Sequence, residues 1–162
     1  MVLEISATTY RYTFKIYDYR RPDLDGGFRP LSTEHAFNVV RWERTERWVR
    51  SHLLPEPRPL RSGPGWREEV IADSRLFHHV VHRVAFDAAY PDDTNGAFHL
   101  LVLVEGERVS IAPRGRPGAA RPLALSETVL IPAGVGAYRV VNRSSRPCRI
   151  VKAFPRAEIE AS

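Results

Sequence analysis

Leu101-Val102-Leu103-Val104-Glu105-Gly106-Glu107 and, about 25 residues further on, Glu127-Thr128-Val129-Leu130-Ile131-Pro132-Ala133-Gly134 are the stretches that decide how this chain folds. The first reads as a buried strand ending in a tight turn, where Gly106 lets the backbone reverse. The second reads as a strand delivered into a Pro-x-Gly turn. Around them lie further short runs rich in β-formers: Glu69–Ala72, Leu76–Phe86, Phe98–Val104, Arg108–Ala112, Thr128–Ile131, Tyr138–Asn142 and Arg149–Phe154. Each is bounded by turn residues such as Pro91-Asp92-Asp93-Thr94-Asn95-Gly96, and this spacing predicts an all-β sandwich or barrel.

Upstream the pattern is less regular. Val2–Tyr19 alternates in Thr, Tyr, Ile and Phe and is expected to be extended. Pro22, Asp25-Gly26-Gly27 and Pro30 mark a loop over Arg20–Pro30. Ser32 or Thr33 can cap one short helix running to about Trp42, with Glu34 in its first turn and Ala36, Val39 and Val40 near helical spacing. The prolines and glycines between Leu54 and Trp66 predict a linker without regular structure. The expected organisation is therefore an N-terminal strand-loop-helix segment over 1–54, a linker over 55–66, a barrel over 67–157 and a tail over 158–162, together one compact domain.

A chain of 162 residues that is 43% hydrophobic can bury the core of one ordinary domain. The single cysteine, Cys148, excludes an intrachain disulfide and reads as a small packed side chain. No apolar run approaches the roughly 18 residues that cross a bilayer, and Met1–Ile5 runs straight into polar Ser6–Thr9, so a cytoplasmic protein without a membrane partner is expected. The net charge of +5 comes almost wholly from arginine, since lysine occurs only at 15 and 152. Those arginines are interleaved with acids, as in Arg41–Arg50, which predicts a solvated mixed-charge surface and no nucleic-acid partner. No Gly-x-Ser-x-Gly, Gly-x-Gly-x-x-Gly or Walker motif is present. Trp42, Trp48 and Trp66 flank the proline-rich stretch and suit packing better than base stacking.

In order and spacing the two opening stretches resemble the paired signature regions of cupins, so the fold is read as an all-β cupin jelly-roll barrel with one short helix and an N-terminal extended segment. In metal-binding cupins the first signature supplies two histidines and a glutamate, and the second one more histidine. Here the glutamate position falls on His99, the paired histidines among Asp92, Asp93, Thr94 and Asn95, and the last histidine on Ala137. The resemblance implies no metal ligand set in this chain. His78 and His82 share a strand face but stand roughly 13 Å apart at about 3.3 Å per residue, too far for one ion to bridge with bonds of about 2 Å. Strand alternation leaves His82, His99 and Tyr138 as candidate pocket-lining, substrate-binding residues.

Leu3-Glu4-Ile5, Thr13-Phe14-Lys15-Ile16-Tyr17-Asp18-Tyr19, Asp23-Leu24-Asp25-Gly26 and Arg29-Pro30-Leu31, with the helix after them, resemble type I mannose-6-phosphate isomerases. The later Val104-Glu105-Gly106-Glu107 and Ile131-Pro132-Ala133-Gly134 look like that family's second cupin, which carries no metal. The resemblance covers roughly residues 2 to 155 and implies the C-terminal half of such an isomerase, with every zinc ligand of the family lying outside this chain. The family arginine associated with proton transfer and sugar-phosphate binding aligns with Lys15, or alternatively with Arg11, and these are the candidate catalytic cations. The resemblance thus implies an isomerase-like cupin of carbohydrate metabolism with no cofactor of its own, zinc entering only with a separate catalytic half. Its partners would be a small-molecule ligand, a sugar phosphate among the candidates, and either a second copy or a zinc-bearing chain. Two other readings stay open: a ligand-binding or interaction subunit without turnover, and a metal-independent enzyme acting through His82, His99 and Tyr138.

Overall fold

The structure, a computed structural model, describes residues 3–5, 14–75 and 77–156. The chain divides into two compact units, Met1–Leu54 and Pro55–Ser162. Among its described residues the first contains two helices, α1 (Thr33–Val39) and α2 (Glu46–His52). Ser32 is the N-cap residue of α1, and the backbone N–H of Ser32 donates to the Lys15 carbonyl at 2.8 Å. The sequence pattern predicts only the first of these helices. The mixed charges of α2 suggest plain surface, yet Thr45 precedes it, Glu46 sits in its first turn, and Arg50 Nε donates to Glu46 Oε1 across one turn at 2.8 Å. No strand forms over residues 3–5 and 14–19 of the predicted Val2–Tyr19 segment, and the rest of it lies outside the described residues.

The second unit is built from ten antiparallel strands: β1 (Arg58–Gly63), β2 (Trp66–Ala72), β3 (His79–Phe86), β4 (Ala89–Asp93), β5 (His99–Glu105), β6 (Arg108–Pro113), β7 (Arg121–Ala124), β8 (Thr128–Ile131), β9 (Ala137–Asn142) and β10 (Cys148–Pro155). They form a six-stranded sheet in the order β1-β2-β3-β10-β5-β8 and a four-stranded sheet in the order β4-β9-β6-β7. Alternation along the strands turns one face of each sheet inward. Val84 and Phe86 of β3, Leu101 and Leu103 of β5 and Ile150 of β10 meet Tyr90, Val109, Ile111, Leu123, Tyr138 and Val140 of the other sheet in one core. Complete burial of each such side chain contributes roughly 1.5–3 kcal/mol relative to exposure, which is what holds the two sheets together.

Three of these strands depart from the sequence pattern, and all three share one cause. β1 lies inside the stretch read as an unstructured linker, β4 overlaps the turn cluster at 91–96, and β7 falls outside every predicted β run; they contain Pro59, Pro91 and Pro122 respectively. Each stands at the edge of its sheet. Proline lacks the donor that an interior strand needs on both sides, but an edge strand has one side free. Register in β1 shifts between Pro59 and Arg61, which accommodates the ring, and Pro64-Gly65, with Gly65 at φ +71°, turns the chain into β2.

Gly106 follows β5 at φ +101°, and a Cβ there would run into Cys148 Sγ. Cys148 itself is buried in the core. Among the described residues no helix is long and apolar enough to cross a membrane.

Candidate functional site

One end of the barrel interior is polar. β2, β3, β5 and β10 bring Glu68, His82, His99 and Lys152 inward from one sheet, and β4 and β9 bring Tyr90, Asp92 and Tyr138 from the other. Register makes the cluster: His82 stands opposite both Val70 and Lys152, and Asp92 stands opposite Tyr138. Glu68 and Lys152 are 1% and 3% exposed, so their charges must be met inside the protein.

They are met in full. Lys152 Nζ lies 2.7 Å from Glu68 Oε1 and 2.7 Å from Asp92 Oδ2, and donates to Tyr90 Oη at 3.1 Å. Three N–H groups thus have three acceptors. Arg61 reaches in from the edge strand, donating through Nε to Glu68 Oε2 at 2.5 Å and through Nη2 to Tyr90 Oη at 2.6 Å and Asp92 Oδ1 at 2.5 Å. Two cations and two carboxylates therefore form a closed, charge-balanced network.

That network sets the protonation of its members. Burial alone would raise the Glu68 carboxyl, but the hydrogen bond with His82 and the charge of Lys152 outweigh it and hold the group well below the usual carboxylate range. Asp92 is lowered for a similar reason: burial opposes ionisation, and Lys152 and Arg61 overcome it. Burial, assisted by Asp92, pushes the phenols of Tyr90 and Tyr138 up, so both remain O–H donors.

Donor accounting then fixes the two imidazoles. His82 Nδ1 is 2.7 Å from Glu68 Oε1, an acceptor, so Nδ1 carries the proton. Tyr138 spends its single proton on Asp92 Oδ2 at 2.9 Å, so His99 Nδ1, 2.8 Å from Tyr138 Oη, must be the donor there. In both rings Nε2 is left without a hydrogen-bond partner among the described residues, and both rings line a cavity of about 530 Å³. Burial, with Lys152 adding to it, lowers His99 below its ordinary value of 6.5 and favours the neutral ring, whose Nε2 is an acceptor. Phe154 packs against both imidazoles, with ring centroids 4.8 Å from His82 and 5.4 Å from His99.

The candidates read from strand alternation, His82, His99 and Tyr138, are thus brought together. Lys15 lies in the other unit, 3.9 Å from Asp18, whose carboxylate also faces Arg29 Nε at 3.0 Å. Arg11 lies outside the described residues. Glu68, Asp92, Tyr90, Arg61 and Lys152 are not among the residues that alternation singles out. One signal does point to them: in a chain with two lysines, one stands mid-strand between Val151 and Ala153.

Among the described residues no three His, Cys, Asp or Glu side chains are grouped to hold an ion. Between the two buried carboxylates, where a cation would sit, stands the Lys152 ammonium.

The two-sheet antiparallel topology is consistent with an all-β cupin barrel. Among solved structures, a mannose 6-phosphate isomerase from Bacillus subtilis is similar with a TM-score of 0.61 at 15% identity, over 86% of this chain and 39% of that one. This chain therefore spans well under half the length of that isomerase. A cupin domain of an XRE family transcriptional regulator from Enterobacter cloacae (TM-score 0.47, 14% identity, 57% of this chain and 98% of that one) and an ectoine synthase from P. lautus (0.47, 13%, 58% and 66%) are also similar. At these identities the likeness is one of fold. No protein-family model and no curated protein matches the chain.

Proposed function

We propose that this chain is an isomerase-like cupin of carbohydrate chemistry whose barrel binds a small hydroxylated carbonyl compound and moves its protons through His82 and His99. The supporting observation is the pair of Nε2 atoms left free in the cavity, each on a ring held by a carboxylate, directly for His82 and through Tyr138 for His99. His82 is suited to take the proton from the carbon beside a carbonyl. The C–H electron pair becomes the C=C bond of an enediolate, and the carbonyl π pair settles on oxygen. Glu68 faces the positive charge that develops on the imidazole. Return of that proton to the neighbouring carbon, with a hydroxyl proton handed across by His99, exchanges carbonyl and hydroxyl. Lys152 does not touch the substrate in this scheme, because its three donors are occupied; it holds Glu68 and Asp92 in place.

The test is incorporation of solvent deuterium at the carbon beside the carbonyl of fructose or mannose, monitored by NMR on the purified chain. His82→Gln should slow incorporation by about 10²–10⁴-fold, the span of one acid–base group. Incorporation that is absent in the unaltered chain, or unchanged in the variant, removes the proposal.

The likeness to part of an isomerase favours a second reading, in which the chain is the metal-free portion of a two-part mannose-6-phosphate isomerase and Lys15 contributes to sugar-phosphate binding. Here the zinc belongs to a separate half. Fructose 6-phosphate would form from mannose 6-phosphate only after a zinc-bearing chain is added, and sustained formation by this chain alone would exclude that dependence.

A further inference from the structure

We propose that a groove beside Arg61 on the four-stranded sheet is a second ligand site, separate from the imidazole cavity, and that it takes a small monocarboxylate with a compact apolar body. The groove has a volume of about 580 Å³, and Arg61, Arg114 and Arg139 line it. Register brings the last two together. Arg139 follows the inward-facing Tyr138 on β9, so alternation puts it on the other face of the strand, opposite Pro91 of β4 and Ala112 of β6. Arg114 stands where β6 ends, and its backbone N–H donates at 2.8 Å to the carbonyl of Ala137, two residues before Arg139.

Both of these guanidinium groups are unspent. Among the described residues neither forms an ion pair, a side-chain hydrogen bond or a ring contact. Arg61 turns Nε and Nη2 onto Glu68, Tyr90 and Asp92, and its Nη1 has no partner among the described residues. The acids of the groove are Asp92, already held by Lys152 and Arg61, and Asp93, whose Oδ1 accepts the Asn95 N–H at 2.8 Å. Three arginines against two aspartates leave one positive charge in excess. Among the described residues no histidine lines the groove, and burial pushes the Tyr138 phenol up, so the excess does not depend on an imidazole or a phenolate. A carboxylate brings one negative charge and two oxygens in the plane that a guanidinium fork matches. A phosphate ester brings close to two charges, more than the lining offsets. Pro91, Ala112, Pro113 and Ala137 supply carbon surface beside the arginines, against which an apolar body can rest.

Calorimetric titration of the full chain with benzoate, benzyl alcohol, phenyl phosphate and inorganic phosphate at a pH of about 7.5, where carboxylates are ionised, tests this. Benzoate should bind saturably, at least about tenfold more tightly than benzyl alcohol, which has the ring without the charge, and more tightly than either phosphate. Its affinity should fall between about 50 and 500 mM salt, because exposed charges are screened. Arg114→Gln and Arg139→Gln should each weaken it by about tenfold and leave the thermal midpoint in place, since neither side chain is tied into the fold. His82→Gln, in the other cavity, should leave benzoate affinity unaltered whether or not the imidazoles move protons. Absence of saturable benzoate binding, binding no tighter than that of benzyl alcohol, or a loss in His82→Gln that the arginine variants do not share overturns the proposal. Tighter binding of either phosphate overturns the assignment to a monocarboxylate.

Discussion

Lys152 is the residue on which the polar end of the barrel depends. Its ammonium is the shared partner of Glu68, Asp92 and Tyr90. Lys152→Met keeps the stem and deletes the charge, leaving two buried carboxylates with Arg61 as their remaining cation, so a loss of about 3–5 kcal/mol in unfolding free energy is expected. Adding Glu68→Gln restores the balance and should recover part of it. A double-mutant cycle by urea denaturation checks this, and additive effects would mean that the two side chains are not coupled. The same network predicts a pH dependence. Glu68, Asp92 and His99 all titrate below their ordinary values of 4.5, 3.8 and 6.5 in the folded chain. Below those ordinary values the unfolded chain binds more protons than the folded one. Stability is thus full above about pH 6.5 and falls as the solution is acidified through the carboxylate range. Denaturation midpoints should stay level above about pH 6.5, slip slightly below it through His99 and fall steeply once the pH drops below about 4.5, and a midpoint that stays level from about pH 4.5 to 2.5 would contradict the buried ion pairs. Sequence alternation finds His82, His99 and Tyr138 because a period of two says which residues share a face. It does not find Glu68, Asp92 and Arg61, because an interior charge is decided by what stands opposite it on another strand, and register is not written in one strand's own residues.

At the scale of elements, the inner strands are legible in the sequence, and of the four edges only β8 is. β3, β5, β9 and β10 combine apolar runs with β-branched residues, and an interior strand has to look that way. β1, β4 and β7 each hold a proline that reads locally as a breaker, and whether proline breaks a strand depends on whether a neighbour lies on its N–H side. These prolines also guard the edges against pairing with another chain. Replacing Pro59, Pro91 and Pro122 together by threonine should leave the barrel folded but raise self-association, read as concentration-dependent light scattering. Scattering equal to that of the unaltered chain would show that the edges are protected by something else. Helix α2 escapes the sequence pattern for a different reason: its seven residues carry charge and tryptophan without a buried face, so no apolar stripe announces it.

For the whole molecule, every member of the main core cluster lies between Val84 and Ile150, inside the second unit. A fragment spanning 55–162 should therefore fold cooperatively and keep any ligand binding shown by the cavity, while losing whatever Lys15 contributes. A fragment without a cooperative thermal transition would show that the first 54 residues are needed for folding. The close approach of Gly106 to Cys148 has a consequence for tracking that folding in time. The thiol lies behind a turn with no space for even a methyl group, is 1% exposed, and burial pushes its pKa up from 9.0. Fluctuations of loops or chain ends should not present it to an alkylating reagent. Maleimide or iodoacetamide would then modify this thiol only as fast as the barrel itself comes apart, making the lone cysteine a clock for global opening under native conditions.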